Sequence, residues 1–331
     1  MAQRHKKTVR KTVKKQENVV VDPRIQQMLA STQQIIFIDS LVVDKNHFMQ
    51  HIPLSAESGI IEQKDTLGQF TNELKDYRFT ANFNASDSAT HIAQSNYIGN
   101  MWTEPVRVGG IDEASANFPF LMPDGTTLYF AQQGEKSIGG YDIFVTRYDS
   151  DSGTFLRPEN IGMPFASEAN DYFYAIDEAT HLGYFVTDRR QPAGKVCIYI
   201  FIPNETRKVY QSEAYAEEQL LSLAKIDRIA DTWLNKEEVK NASQRLKACK
   251  EQQKQSVAPK AKTLLDDLHH QAEVLEKALQ IARNFYAHAS DSDRQTLRNE
   301  ILKSEKELES LQLEIRTTEK KQHNEQYKFN N

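Results

Sequence analysis

Between Tyr77 and Tyr210 apolar and polar positions follow one another in short runs broken by turn residues. The runs Leu128-Tyr-Phe130, Asp142-Ile-Phe-Val145, Gly183-Tyr-Phe185 and Cys197-Ile-Tyr-Ile200 combine aromatic and β-branched side chains. Such residues suit a pleated, half-buried surface, and the pattern predicts strands. Met122-Pro-Asp-Gly125 supplies a hairpin turn, because proline presets φ and glycine accepts a positive φ. Beyond Tyr210 the spacing becomes helical. Leu220, Leu221, Ala224, Ile229 and Trp233 predict one helix from Glu213 to about Trp233. Val239, Leu246 and Cys249 mark a second over about 236–255, ended by Val257-Ala-Pro259. Leu265, Leu268, Ala272, Leu275, Leu279, Ala282 and Tyr286 recur at alternating intervals of three and four, a heptad seam. A fourth helix carries Leu297, Ile301, Leu308, Leu311 and Ile315, with Ser290 or Ser292 as its N-cap. The last two helices predict an antiparallel hairpin that either packs on itself or self-associates.

The strand-rich segment repeats. Trp102-Thr-Glu-Pro105-Val-Arg-Val-Gly109 aligns with Phe155-Leu-Arg-Pro158-Glu-Asn-Ile-Gly162, an offset of 53 residues. Glu113–Phe120 aligns with Ser167–Tyr174 at 54, and the two later strand pairs at 55. A period near 50 residues points to propeller blades rather than a sandwich. Only three units are visible, while a closed ring takes about four or more. The apolar residues of 33–62, including Ile35–Ile38, Leu41–Val43, Phe48 and Ile60-Ile61, supply the missing strands. The fold expected is a degenerate β-propeller, four-bladed or open, followed by an α-helical domain.

Phe120-Leu-Met-Pro-Asp-Gly-Thr-Thr-Leu-Tyr-Phe130, Gly139-Gly-Tyr-Asp-Ile-Phe144 and Arg157-Pro-Glu-Asn-Ile-Gly162 together resemble the blade of TolB-type, WD-repeat-like propellers of the bacterial cell envelope. The third unit departs from that blade, with Asp177-Glu-Ala-Thr-His181 at the turn and Ala193-Gly-Lys-Val196 in place of Gly-Gly-x-Asp. The resemblance implies a protein–protein interaction scaffold or adaptor in the periplasm or at the outer membrane. The alternative from another class is a propeller hydrolase acting on glycan or peptide, which would need a carboxylate pair or a nucleophile on the central face.

Charge divides the chain further. Residues 1–30 carry 8 Lys+Arg against 2 Asp+Glu, 31–210 carry 13 against 23, and 211–331 carry 20 against 21. All 13 glycines lie between Gly59 and Gly194, which separates the strand-rich segment from a glycine-free helical one. The organisation expected is therefore a basic arm over 1–30, a β domain over 31–210 and a helical domain over 211–331. Arg4, Lys6, Lys7, Arg10 and Lys11 lie in the arm with no aromatic residue among them. Contact with an anionic surface there would rest on charge alone. No apolar h-region follows the arm, so it does not read as a signal peptide, and it leaves cytoplasm and periplasm both open.

Chemistry is sparse. Asp149-Ser-Asp151-Ser-Gly153 alternates oxygens as a calcium loop does, but no bidentate glutamate follows in place and a hairpin turn explains it. Asp142 at a strand start reads as a cap for loop amides. Asp188-Arg189-Arg190 reads as a solvated loop or, through Arg189 and Arg190, as a grip for an anionic partner. The histidines show no metal spacing, and no P-loop, dinucleotide motif or nucleophile elbow occurs. Neither cofactor nor metal is expected, and the reading is non-enzymatic. Cys197 and Cys249 are expected not to bond to each other.

Overall fold

The computed structural model describes residues 23–98, 101–111, 115–257 and 291–329, together with 268–269, 271–272, 275–276, 278–280, 282–283 and 286. The chain divides into two compact units, one ending at Glu251 and the other beginning at Gln252. That division falls inside the stretch 211–331 read as the helical domain. The helices just beyond residue 210 carry apolar stripes that pack with the sheets.

The first unit opens with helix α1 (Pro23–Ala30) and holds three antiparallel sheets among the described residues. The first sheet comprises β2 (Ile60–Lys64), β3 (Leu67–Thr71), β4 (Tyr77–Asn84) and β5 (Ala89–Ile98), with the short β6 (Met101–Trp102) and β7 (Val106–Arg107) both on β5. The second comprises β8 (Ser115–Leu121), β9 (Thr127–Gln133) and β10 (Asp142–Asp149), with β11 (Thr154–Phe155) and β12 (Glu159–Asn160) both on β10. The third runs β13 (Asp171–Asp177), β14 (Leu182–Thr187), β15 (Lys195–Ile202) and then β1 (Ile36–Asp44). Of the apolar residues of 33–62, Ile36–Val43 complete the last sheet within β1, while Ile60 and Ile61 enter the first within β2. Among the described residues no sheet closes on itself.

The repeat is visible in the hydrogen-bond register. Phe130 faces Phe144 across β9 and β10, and Phe185 faces Tyr199 across β14 and β15, each residue 55 positions after its counterpart. On the preceding strands Phe120 faces Tyr129 and Ala175 faces Tyr184. Phe120 therefore corresponds to Ala175, one residue later than the sequence alignment placed it. Each strand carries one extra residue, between Asn117 and Phe120 in β8 and between Asp171 and Phe173 in β13. The two bulges compensate, so Ala116 corresponds to Asp171 before them and Phe120 to Ala175 after them, 55 residues apart in both cases. Trp102 and Phe155 are equivalent as expected. Each ends a two-residue strand opposite a tyrosine, Tyr97 or Tyr148.

Phe120, Phe130, Phe144, Tyr184, Phe185 and Tyr199 are buried, while Tyr129 is only half-buried. Phe37, Phe165, Phe185, Tyr199 and Phe201 form one aromatic cluster, with centroid separations from 5.1 to 6.4 Å. A second cluster joins Phe48, Phe70, Phe118, Phe120 and Phe173. Aromatic side chains supply most of the area these sheets bury.

The single helix expected from Glu213 to Trp233 is three short pieces, the first a 3-10 turn over Ser212–Ala214. Helix α2 (Glu217–Lys225) stops where Ile226 adopts φ 55°, and a 3-10 turn follows over Ile229–Thr232. The break lets Thr232 Oγ1 accept from the Phe37 amide, and lets Trp233 Nε1 donate to the Phe37 carbonyl, which caps the edge of β1. Helix α3 (Lys236–Val257) buries Val239, Ala242, Leu246 and Cys249 in the main core. Cys197 and Cys249 are both free and buried. In the second unit, α4 (Asp291–Phe329) sets Leu308, Leu311 and Ile315 against Leu268 and Ala272. Arg283 pairs with Glu305 and His269 lies beside Glu319, so the two stretches run antiparallel. Leu265 and Ser290 lie outside the described residues. Among the described residues no helix is long and apolar enough to cross a membrane.

Candidate functional site

Asp44 ends β1 and caps the 3-10 helix Lys45–His51 by accepting from the Asn46 amide. That helix carries Lys45 and Asn46 to the place where the three sheets converge. Gln63, Thr66 and Leu67 arrive from the β2–β3 hairpin, Phe83 and Thr90 from the β4–β5 hairpin, Asn117 and Phe118 from the β8 bulge. Tyr141 precedes β10, and Tyr172 sits at the β13 bulge. Together they line a crevice of about 220 Å³.

Asn117 holds its rim together. Its Oδ1 accepts from the Gly68 and Phe118 amides at 3.0 and 2.7 Å, and its Nδ2 donates to the Thr66 carbonyl at 2.8 Å. Gly68 is required by this approach, since a Cβ there would stand 2.7 Å from Phe118 Cα. Phe118 itself has φ 52°, a left-handed conformation costly for a bulky residue. Its ring is kept in place by Phe48 at 5.2 Å and Tyr172 at 6.0 Å.

Charge in the crevice is neutralised locally. Lys45 Nζ donates to the Tyr172 hydroxyl at 2.6 Å and lies 4.5 Å from the ring centroid. The hydroxyl in turn donates to Asp188 Oδ2 at 2.8 Å, and Asp188 also accepts from the Asn170 amide and carboxamide. Burial, with the hydrogen bond to Asp188 second, pushes the Tyr172 phenol well above its ordinary value. Burial also raises Tyr141, whose hydroxyl interacts with Thr90 and Ser115.

The structure separates the two arginines of Asp188-Arg189-Arg190: Arg190 is exposed, whereas Arg189 is not solvated. Arg189 is buried, donating to Asp171 Oδ1 at 2.8 Å, to the Pro164 carbonyl and to Thr187 Oγ1. Arg190 pairs with Asp227 at 2.8 Å and donates to the Ile226 carbonyl, where it caps α2. Both arginines also line a cavity of about 460 Å³ beside α1 and α2, walled by Ile25, Met163 and Leu221. Arg4, Lys6, Lys7, Arg10 and Lys11 lie outside the described residues.

Asp142 caps loop amides as expected, accepting from Ile138, Ser167 and the Asn160 carboxamide. It and Asp171 are both fully buried. Burial, followed by the charge of Asp171, raises Asp142 to about 7. Asp171 is raised as well, burial outweighing the pull of Arg189. Asp149 accepts from the Asp151 and Ser152 amides, the geometry of a turn. Among the described residues no group of three His, Cys, Asp or Glu side chains is placed to hold a metal ion.

The crevice was not legible as a site in the sequence, because its residues come from six separate segments. The nearest signal was Gly68 inside the strand segment Leu67-Gly-Gln-Phe70, since glycine inside a strand marks close backbone approach. The chain matches no protein-family model and no curated protein.

Proposed function

We propose that this chain is a non-enzymatic interaction scaffold of the cell envelope, built on a TolB-like propeller, with the three-sheet crevice as its partner-recognition mouth. The observation that carries the reading is the crevice itself, where residues from all three sheets and the 45–51 helix meet around the exposed Phe83, the half-buried Tyr141 and the buried Phe118 and Tyr172. The shared register of the second and third sheets supports the blade reading. So does the entry of β1 into the last sheet, which ties the start of the described chain to the end of its strand series. The envelope location comes from the resemblance of the Pro-Asp-Gly and Gly-Gly-Tyr-Asp-Ile-Phe segments. A hydrolase needs its acid and base within reach of substrate, whereas the carboxylates that perturb one another, Asp142 and Asp171, are sealed inside.

The test is site-specific photo-crosslinking in cells, with a photoreactive residue replacing Asn46 at the crevice or, as control, Lys247 on the exposed side of α3. A discrete protein adduct from position 46 and none from position 247 is the expected result. Equal labelling from both positions would remove the crevice from consideration as a partner site.

A further inference from the structure

The crevice lining is of two kinds. Its accessible aromatic wall is Phe83, 60% exposed, and the half-buried Tyr141, while Tyr172 is buried beneath Lys45. Neutral amides and a hydroxyl come from Asn46, Gln63 and Thr66. Lys45 is the one charged side chain among the lining residues, and Tyr172 already engages it. A free charge is therefore not what the crevice presents, which disfavours phosphate or an ionic side chain as ligand.

Two polar groups are left over. Gln63 spends Nε2 on the Lys45 and Asp65 carbonyls, while its buried Oε1 has no donor among the described residues. The Asn46 side chain makes no hydrogen bond there either. A buried acceptor without a donor is costly, and a hydroxyl is the group that would satisfy it. Drug-sized ligands fill roughly 300–1,000 Å³, so about 220 Å³ suits a single ring rather than a peptide segment. Main-chain pairing with a peptide is also restricted, because the Gly68 and Phe118 amides are both taken by Asn117.

From these features we infer that the crevice binds one neutral pyranose unit of a glycan. The C–H face of the ring lies on the negative faces of the aromatic wall, and its hydroxyl edge meets Gln63, Thr66 and Asn46. The inference rests on the crevice being the recognition mouth, and it names the chemistry of what the partner carries. Phe118 in its left-handed conformation fixes the floor before the sugar arrives, so little ordering is left for binding.

The experiment titrates the full chain with methyl glycosides of glucose, galactose, mannose and N-acetylglucosamine, followed by saturation-transfer NMR. Binding at millimolar concentration is expected for at least one, with transfer to the ring C–H protons. Phe83→Ala should weaken it about tenfold, and Phe83→Tyr should keep it. Because Phe83 is exposed, the folded state should survive both changes, and an unchanged thermal melt checks this. Absence of transfer from all four sugars, or binding indifferent to Phe83→Ala, would overturn the inference. So would a preference for glucuronate or glucosamine over the neutral sugars. A position-46 protein adduct without sugar binding would sink the saccharide inference and leave the scaffold reading intact. Sugar binding without any adduct would sink the protein-partner reading instead.

Discussion

Asp142 shows how much a single residue type leaves undecided. Its place before an apolar strand fits a cap, and the structure has it accepting from two backbone amides and one carboxamide. What the sequence withholds is Asp171, 29 positions on, whose charge reaches Asp142 through a buried, water-poor interior. The sign of the consequence follows from linkage. A carboxyl raised in the folded state keeps its proton where the unfolded chain has released it. Its stabilising contribution is present in full below the unfolded value of 3.8 and is lost as pH rises through about 7. Asp171 is shifted in the same direction. Urea unfolding should therefore show stability from this pair declining between about pH 4 and 7, and Asp142→Asn should flatten the slope. A wild-type slope matched by the variant would show that the pair does not titrate in that window.

At the scale of elements, equivalent positions differ in what they bury. Trp102 and Phe155 both end short edge strands and both meet a tyrosine, at 5.2 and 5.4 Å. Phe155 is 6% exposed and joins the main core, whereas Trp102 is half-buried and carries the Arg78 guanidinium 4.2 Å from its ring. Burial decides the cost of truncation. Phe155→Ala should lose about 3–4 kcal/mol, and Trp102→Ala about 1–2 kcal/mol, chiefly the packed part of the ring and the cation–π contact. Chemical denaturation of the two variants side by side is the measurement; equal losses would mean that edge position, not burial, sets the cost. The helices carry a related lesson. An apolar stripe through Leu220, Ala224 and Ile229 predicts one helix, but Ile226 turns left-handed so that Thr232 and Trp233 can cap the edge of β1. Tertiary hydrogen bonds to Phe37 outweigh the propensity to continue.

On the scale of the whole molecule, β1 connects distant parts of the chain. It pairs with β15 over eight residue pairs, from Ile36–Ile202 to Asp44–Lys195. It also buries Phe37, Ile38 and Val43 and leads directly into the helix that bears Lys45. Each such side chain is worth about 1.5–3 kcal/mol when buried, against a total stability of about 5–15 kcal/mol for a typical domain. A chain beginning at Lys45 should lose its cooperative thermal transition, as read by near-ultraviolet circular dichroism. A sharp transition within a few degrees of the parent would show that the third sheet stands without its outer strand.

The sequence by itself determined the strands, the turn at Met122–Gly125, the 55-residue register of two sheets and the heptad seam of the last helices. Each of these depends on residues near one another in the chain or on a repeat that alternation exposes. It also pointed to the residues around Ile35–Val43 as the source of a missing strand, though not to the sheet they would join. The tertiary structure alone decided that partner strand, the division at Glu251 and the inward turn of Arg189. It alone assembled the crevice from Lys45, Gln63, Phe83, Phe118 and Tyr172. Those outcomes depend on side chains brought together from separate segments, 18 residues apart for Arg189 and Asp171 and 127 for Lys45 and Tyr172, where no local period survives. A buried arginine and a solvated one have the same neighbours in sequence; only the packed carboxylate beside Arg189 tells them apart.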